Sequence, residues 1–251
     1  MIRIIADVHG AAAALRRLAQ QPGPLLVLGD LINFIDYRTN EGIVSIVSGA
    51  EAVAAFVRLR TDGRHEEAGL LWREHARGRE AELRAAYDRE IGLAYTEICE
   101  ALAGIDAYVT YGNVDRPDML QRALPAGVRF VDAEVVVIDG IRVGFAGGGL
   151  PKLGTPGEVS DDEMRAKLDA LGPVDMLCTH VPPALDPLAS DVVAGLQKGS
   201  QAVLDYLRRE QPPFHYFGDI HQPQALTWRI GRTVSTNVGY FRATGRAVNH
   251  G

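Results

Sequence analysis

Short apolar runs rich in β-branched residues recur along this chain, and most of them stop at a small polar cluster. Arg3 to Ala6 and Pro24 to Leu28 are two such runs, with the alanine- and leucine-rich stretch Ala11 to Ala19 between them. That is a strand–helix–strand pattern, which favours a parallel sheet. Ala107 to Tyr111, Val174 to Thr179 and Phe214 to Phe217 predict three more strands. Glu134 to Ile138 and Ile141 to Ala146 flank Asp139-Gly140, a two-residue hairpin signal. Ser160 and Glu163 fit a capping box opening a helix that runs to about Leu171. Ser200 to Glu210 is helical, and Ala225 to Ile230 with Thr233 to Asn237 predict a closing hairpin. The order is a βα half followed by a β-rich half, without internal repeat or linker, so residues 1–251 read as one α/β (α+β) domain.

The stretch from Gly49 to Leu102 is longer, more charged and helical in period. Leu83, Tyr87, Ile91, Tyr95, Ile98 and Leu102 form one apolar stripe, while Glu80 and Arg84 are placed to pair at i,i+4 on another face. Ala50 to Arg60 predicts a separate helix, broken at Thr61-Asp62-Gly63. Residues 41–104, approximately, thus fit either a helical insertion between two strands or a long crossover connection. As an insertion they could wall a site toward small substrates, or offer a surface for a homo-oligomer or another partner.

With 251 residues and 47% hydrophobic content the chain can bury a large core. No run reaches 18 apolar residues, so no membrane span is expected. The first strand begins at once, leaving no room for a signal segment, and the expected compartment is the cytoplasm. Cys99 and Cys178 lie far apart and read as reduced core thiols. A net charge of -6 argues against nucleic acid as partner, but not against an anionic substrate at a metal site.

The polar clusters carry the chemistry. Asp7-Val8-His9, Gly29-Asp30, Gly112-Asn113-Val114-Asp115, Thr179-His180 and Gly218-Asp219-Ile220-His221 each follow an apolar run. Ligands at several strand ends can converge on one sheet edge, and carboxylate, imidazole and amide oxygens bind hard or borderline divalent cations. Together the five clusters describe a site for two metal ions. Other polar residues have plainer readings. His65 and His75 are expected in solvent, His250 at a loose chain end, and His215 as a satisfied core or edge histidine. Thr179 and Cys178 read as strand packing, and Gly147 to Gly149 as a loop passing close to the metal edge. Arg38 is either a surface arginine or a bidentate contact to a substrate phosphate.

Taken together, D-x-H, G-D, G-N-x-D, T-H and G-x-x-H resemble the calcineurin-like metallophosphoesterase superfamily. The resemblance runs from Asp7 to His221, the helical segment excepted. It implies a four-layer α/β/β/α sandwich of two mixed β-sheets and a dinuclear centre at one sheet edge. It also implies that Asp7, His9 and His221 hold a first ion, Asp30 bridges, and Asn113 and His180 hold a second. Asp30, Asn113 and His180 would be the catalytic residues. Where the family pattern has G-H-x-H, this chain has Asp219, either a harder ligand favouring Mn²⁺, Fe²⁺ or Mg²⁺ over Zn²⁺ or a loop-capping carboxylate. Mn²⁺ or Fe²⁺ is the expected pair. Val114 replaces the histidine of G-N-H-D/E, which removes a proton donor for the leaving oxygen. Asp115 could supply one, or could simply start a helix at Asp115-Arg116-Pro117.

The implied reaction is hydrolysis of a phosphoester, foremost a phosphodiester of a small nucleotide-like or other organic phosphate. A hydroxide shared by the two cations would attack in line. The alternative is an interaction scaffold that keeps the fold without catalysis, suggested by Val114, Asp219 and the long helical segment.

Overall fold

Continuous apolar runs become strands that are buried on both faces. The computed structural model describes residues 1–192 and 196–251. Its elements begin with β1 (Ile2–Ile5), α1 (Ala12–Ala19), β2 (Leu25–Leu28), α2 (Ile43–Ser48), α3 (Ala50–Thr61), α4 (His65–Ala76), α5 (Glu80–Leu102), β3 (Ala107–Thr110), α6 (Pro117–Ala123) and β4 (Val128–Phe130). They continue with β5 (Glu134–Ile138), β6 (Ile141–Ala146), α7 (Asp161–Leu171), β7 (Met176–Thr179), α8 (Asp186–Ala189), β8 (Ser190–Asp191) and β9 (Leu196–Gln197). The last are α9 (Gln201–Glu210), β10 (Phe214–Phe217), β11 (Thr227–Ile230), β12 (Thr233–Asn237), α10 (Phe241–Thr244) and β13 (Val248–His250).

Two mixed sheets result, one of five strands in the order β13-β1-β2-β3-β4 and one of six in the order β11-β12-β10-β7-β6-β5. Alternation along each strand builds the layers. Ile2, Ile4, Leu26 and Leu28 pack between the sheets against Val143, Phe145, Met176 and Cys178. Ile5, Leu25, Val27 and Val109 face the opposite way, onto Leu15, Ile91, Tyr95 and Ile98 of α1 and α5. Leu177 of the other sheet meets Met164, Leu168, Val203 and Leu207 of α7 and α9. This is the expected α/β/β/α sandwich.

The segment between β2 and β3 divides into two parts. The second half of α5 packs on the sheet in the main core, as a crossover helix does. In contrast, α3 and α4 form a hairpin outside it, sharing a small cluster around Val53 and Val57 with Phe56 against Trp72 at 5.0 Å. Glu80 does not pair with Arg84: its Oε1 accepts the Gly78 N–H at 3.1 Å just ahead of the helix. Asp139 and Gly140 turn the β5–β6 hairpin with φ of 49° and 82°, the left-handed pair a type I′ turn requires. The Ser160–Glu163 capping box forms on α7.

Three histidines outside the polar clusters have defined surroundings. His75 is half-buried, stacked on Trp72 at 5.6 Å, rather than solvated. His250 is not loose: it pairs with Ile2 in β13, and its Nδ1 lies 3.0 Å from the Tyr216 hydroxyl. The unpaired edge of β1 recruits it. His215 is fully buried between Thr179 Oγ1, 3.0 Å from its Nε2, and Ser235 Oγ, 2.8 Å from its Nδ1. Since Thr179 donates its one hydroxyl hydrogen to the Val181 carbonyl, it must accept from Nε2–H, which makes His215 the neutral Nε2–H tautomer.

Burial pushes His215 down to about 3 from the ordinary 6.5. Below about pH 6.5 the unfolded chain therefore takes up a proton that the folded protein refuses. This contribution to stability is complete above 6.5 and falls, by ~1.4 kcal/mol per pH unit, toward pH 3. His215→Gln should flatten the loss of stability between pH 6.5 and 4.5, measured by denaturant melts of chelator-treated protein. Parallel pH profiles for the two proteins would contradict it.

Candidate metal centre

Five parallel strands, β1, β2, β3, β7 and β10, run out toward the same edge, and each delivers one polar cluster there. The loops they enter are tightly wound. Asp7, His9, Asp30 and Asp219 have φ of 57°, 40°, 52° and 64°. They are half of the eight non-glycine residues with positive φ among those described, and such strain persists where the surroundings over-determine it. Backbone crowding is equally severe. A Cβ on Gly112 would lie 2.1 Å from Asp30 Oδ1 and 2.7 Å from His180 Cε1, and one on Gly218 would lie 2.7 Å from Asp7 Oδ2.

Two groups of donor atoms meet across Asp30. On one side Asp7, His9 and His221 converge, with His9 Nε2 to His221 Nε2 at 3.3 Å and His221 Nε2 to Asp7 Oδ1 at 3.6 Å. On the other, His180 Nε2 lies 3.3 Å from Asn113 Oδ1 and 3.9 Å from Asp219 Oδ1. Asp30 turns Oδ2 toward His9 Nε2 at 3.6 Å and Oδ1 toward His180 Nε2 at 3.5 Å.

The tautomers make this arrangement a test of metal fit. His9 Nδ1 is 3.2 Å from the Ile32 carbonyl and His180 Nδ1 is 2.8 Å from the Leu28 carbonyl. A carbonyl only accepts, so each Nδ1 carries the hydrogen, and in the neutral ring each Nε2 offers a lone pair. Those lone pairs face carboxylate and amide oxygens that have no hydrogen to give them. A cation on each side would satisfy them, so the residues fit divalent ions. Charge points the same way. Burial would raise Asp7, yet His221, His180 and His9 hold it down at about 2. Burial would lower His180, yet Asp30, Asp219 and Asp7 carry it up to about 9. The cluster lacks positive charge, and filling it with ions displaces protons from imidazole.

The exit of β2 holds most of this together. Gly29 O accepts from Asp7 N at 3.1 Å, Asp30 O from His9 N at 2.9 Å, and Asp30 Oδ1 from Val114 N at 3.1 Å. With the Leu28 and Ile32 carbonyls on His180 and His9, five consecutive residues orient donors on both sides. Asp219 and His221 arrive from β10 instead, linked through Asp219 N to the Asp7 carboxylate at 3.1 Å.

Several sequence expectations change here. Arg38 is exposed in the turn after Asp36, whose carboxylate accepts its backbone N–H at 2.8 Å; no ion pair among the described residues joins it to the cluster, though its charge reaches Tyr240 beside His221. The helix start at Asp115-Arg116-Pro117 forms, with Arg116 as N-cap of α6 and Pro117 in its first turn, but Asp115 itself offers no proton outward. It is fully buried and accepts from Leu31 N, Gly112 N and Tyr95 OH. Burial and the neighbouring Asp30 charge push it above the usual carboxylate range. Two contacts escape the sequence entirely. Tyr240 stacks flat on His221, centroids 3.9 Å apart at 5°, and Lys198 places Nζ 2.7 Å from Asp219 Oδ1. The one available signal for Lys198 is rarity, since only three of the 26 basic residues are lysines.

The sequence profile of the calcineurin-like phosphoesterases matches residues 1–223, the stretch that carries all five clusters. The chain belongs to this family. It shares its fold with solved structures at low identity. One is 17% identical with a TM-score of 0.59, over 96% of this chain and 90% of the other. A second, the protein TT1561 of Thermus thermophilus, is 13% identical with a TM-score of 0.56, over 96% and 89%. No curated protein matches the chain. As a calcineurin-like phosphoesterase it is a metal-dependent hydrolase of phosphoric esters, and no described helix is long and apolar enough to cross a membrane.

Proposed function

We propose that this phosphoesterase works with two divalent ions, Mn²⁺ or Fe²⁺ by preference, on phosphodiesters of small nucleotide-like or other organic phosphates. The observation that carries the reading is Asp30, whose two carboxylate oxygens face two separate donor groups. Asp7, His9 and His221 would hold one ion, Asn113, His180 and Asp219 the other, with Asp30 between them. Two ions so held would supply an activated water and neutralise the phosphate oxygens. The chain's own work is to fix the donors. Val114 N–H steadies Asp30, carbonyls set the imidazole tautomers, and Tyr240 keeps the His221 ring in plane.

An anionic substrate suits the rim. Lys152 is pushed down by burial and then by the Lys198 charge, with Arg60 adding to it. Arg60 comes from the last turn of α3, so the helical hairpin reaches toward the centre. That supports its service as a wall, which favours a small substrate over a polymer. The scaffold alternative has no observation of its own.

The test is ion content with turnover. Chelated protein reloaded with Mn²⁺ should hold two ions per chain and hydrolyse an aryl phosphodiester. One ion or none at saturation, with no turnover, would overturn the reading.

A further inference from the structure

Lys198 is the lysine paired with the centre, and the reaction as proposed makes no use of it. Its side chain is three-quarters buried, and its Nζ lies 2.7 Å from Asp219 Oδ1. Which oxygen it holds matters. Oδ1 is also the atom that faces His180 Nε2 at 3.9 Å, so ammonium and second ion draw on the same lone pairs. A lysine bound to Oδ2 would have left Oδ1 free to bridge.

Charge accounts for the pairing. The first donor group, Asp7, His9 and His221, has no lysine near enough to pair with it among the described residues. An aspartate at 219 adds a negative charge where an imidazole would add none, and the Lys198 ammonium cancels it. A buried carboxylate left without a partner is costly, so some cation must always be there. The lysine backbone is anchored by its N–H to the Ala189 carbonyl at 2.9 Å, while the four-carbon stem can let the ammonium move away.

We propose that Lys198 competes with the second divalent ion for Asp219, so that the two ions bind with unequal affinity and free metal sets how many molecules carry both. This rests on the two-ion reading above. Lys152, of like sign and near enough to feel both Lys198 and Arg60, adds to the field that the second ion must overcome.

The experiment is calorimetric titration of the chelated full chain with Mn²⁺, for wild type, Lys198→Met, Asp219→Asn and the double variant. Lys198→Met should tighten the second step by about tenfold or more, within the range usual for coupled sites, and leave the first within about twofold. In the Asp219→Asn background the same change should do nothing, because the contested oxygen has lost its charge. Lys198→Gln, polar and uncharged, should repeat the result and guards against a misfolded methionine variant. An unchanged second step in Lys198→Met and Lys198→Gln would overturn the competition, as would an equal gain in the Asp219→Asn background, which would indicate plain repulsion. Failure of the wild type to bind any Mn²⁺ would instead remove the two-ion reading itself, and this inference with it.

Discussion

Changing Asp30 to asparagine should lower turnover by roughly 10²–10³-fold or more, the scale seen when a group stabilising transition-state charge is removed. Asparagine matches the side chain in size and can still accept the Val114 N–H through its oxygen, so the loop has little cause to rearrange. What is lost is one negative charge and the Oδ2 acceptor, and the new amide facing His9 would donate to the Nε2 lone pair that an ion needs. Both ions should therefore weaken together. Turnover of an aryl phosphodiester and ion content by elemental analysis read the two effects. Arg17→Ala, exposed on α1, serves as a control that should alter neither. An Asp30→Asn protein with two ions and full turnover would refute the bridging role.

Across a series of phosphodiesters differing only in the leaving alcohol, turnover should fall steeply as the alcohol becomes less acidic. A general acid typically contributes ~10²–10⁴-fold, and the gap between acidic phenols and alkyl alcohols should approach that range here. Val114 has no proton to give and packs in the helix-side core with Leu31, Tyr95 and Leu120. A histidine at 114 would have to displace that packing, so the substrate series is a cleaner test than the substitution. Neither polar neighbour can stand in. The Asp115 carboxylate is taken up by three donors, and His215 is sealed between Thr179 and Ser235. A flat dependence would mean that another group protonates the leaving oxygen, and Lys198 would then be the first to replace.

The convergence of the polar clusters is legible in the sequence because each cluster follows a buried strand, so local pattern and spatial grouping coincide at Asp7, Asp30, Asn113, His180 and His221. The layers are legible for the same reason: alternation within Ile2–Ile5 or Leu25–Leu28 already says which side chains face which way. Lys198, Tyr240 and the true role of Asp115 are not, since each is defined by a partner more than ten residues away and follows no periodic pattern. His250 misleads because a terminal position says nothing about an edge strand in need of a neighbour. The stripe on α5 is a face in both sequence and structure, but periodicity cannot tell a crossover helix from an inserted one. Only the surface it meets, Val27 and Val109, decides that.

The five residues from Leu28 to Ile32 act as a yoke. Any substitution that shifts them moves the Asp30 carboxylate and both carbonyl-held imidazoles at once, so natural variation there cannot rearrange one donor group without disturbing the other. Asp219 hangs outside that yoke, after β10, and its side chain answers to Lys198 rather than to those five residues. Position 219 is thus where a lineage built on this frame has room to change a donor, provided residue 198 changes with it.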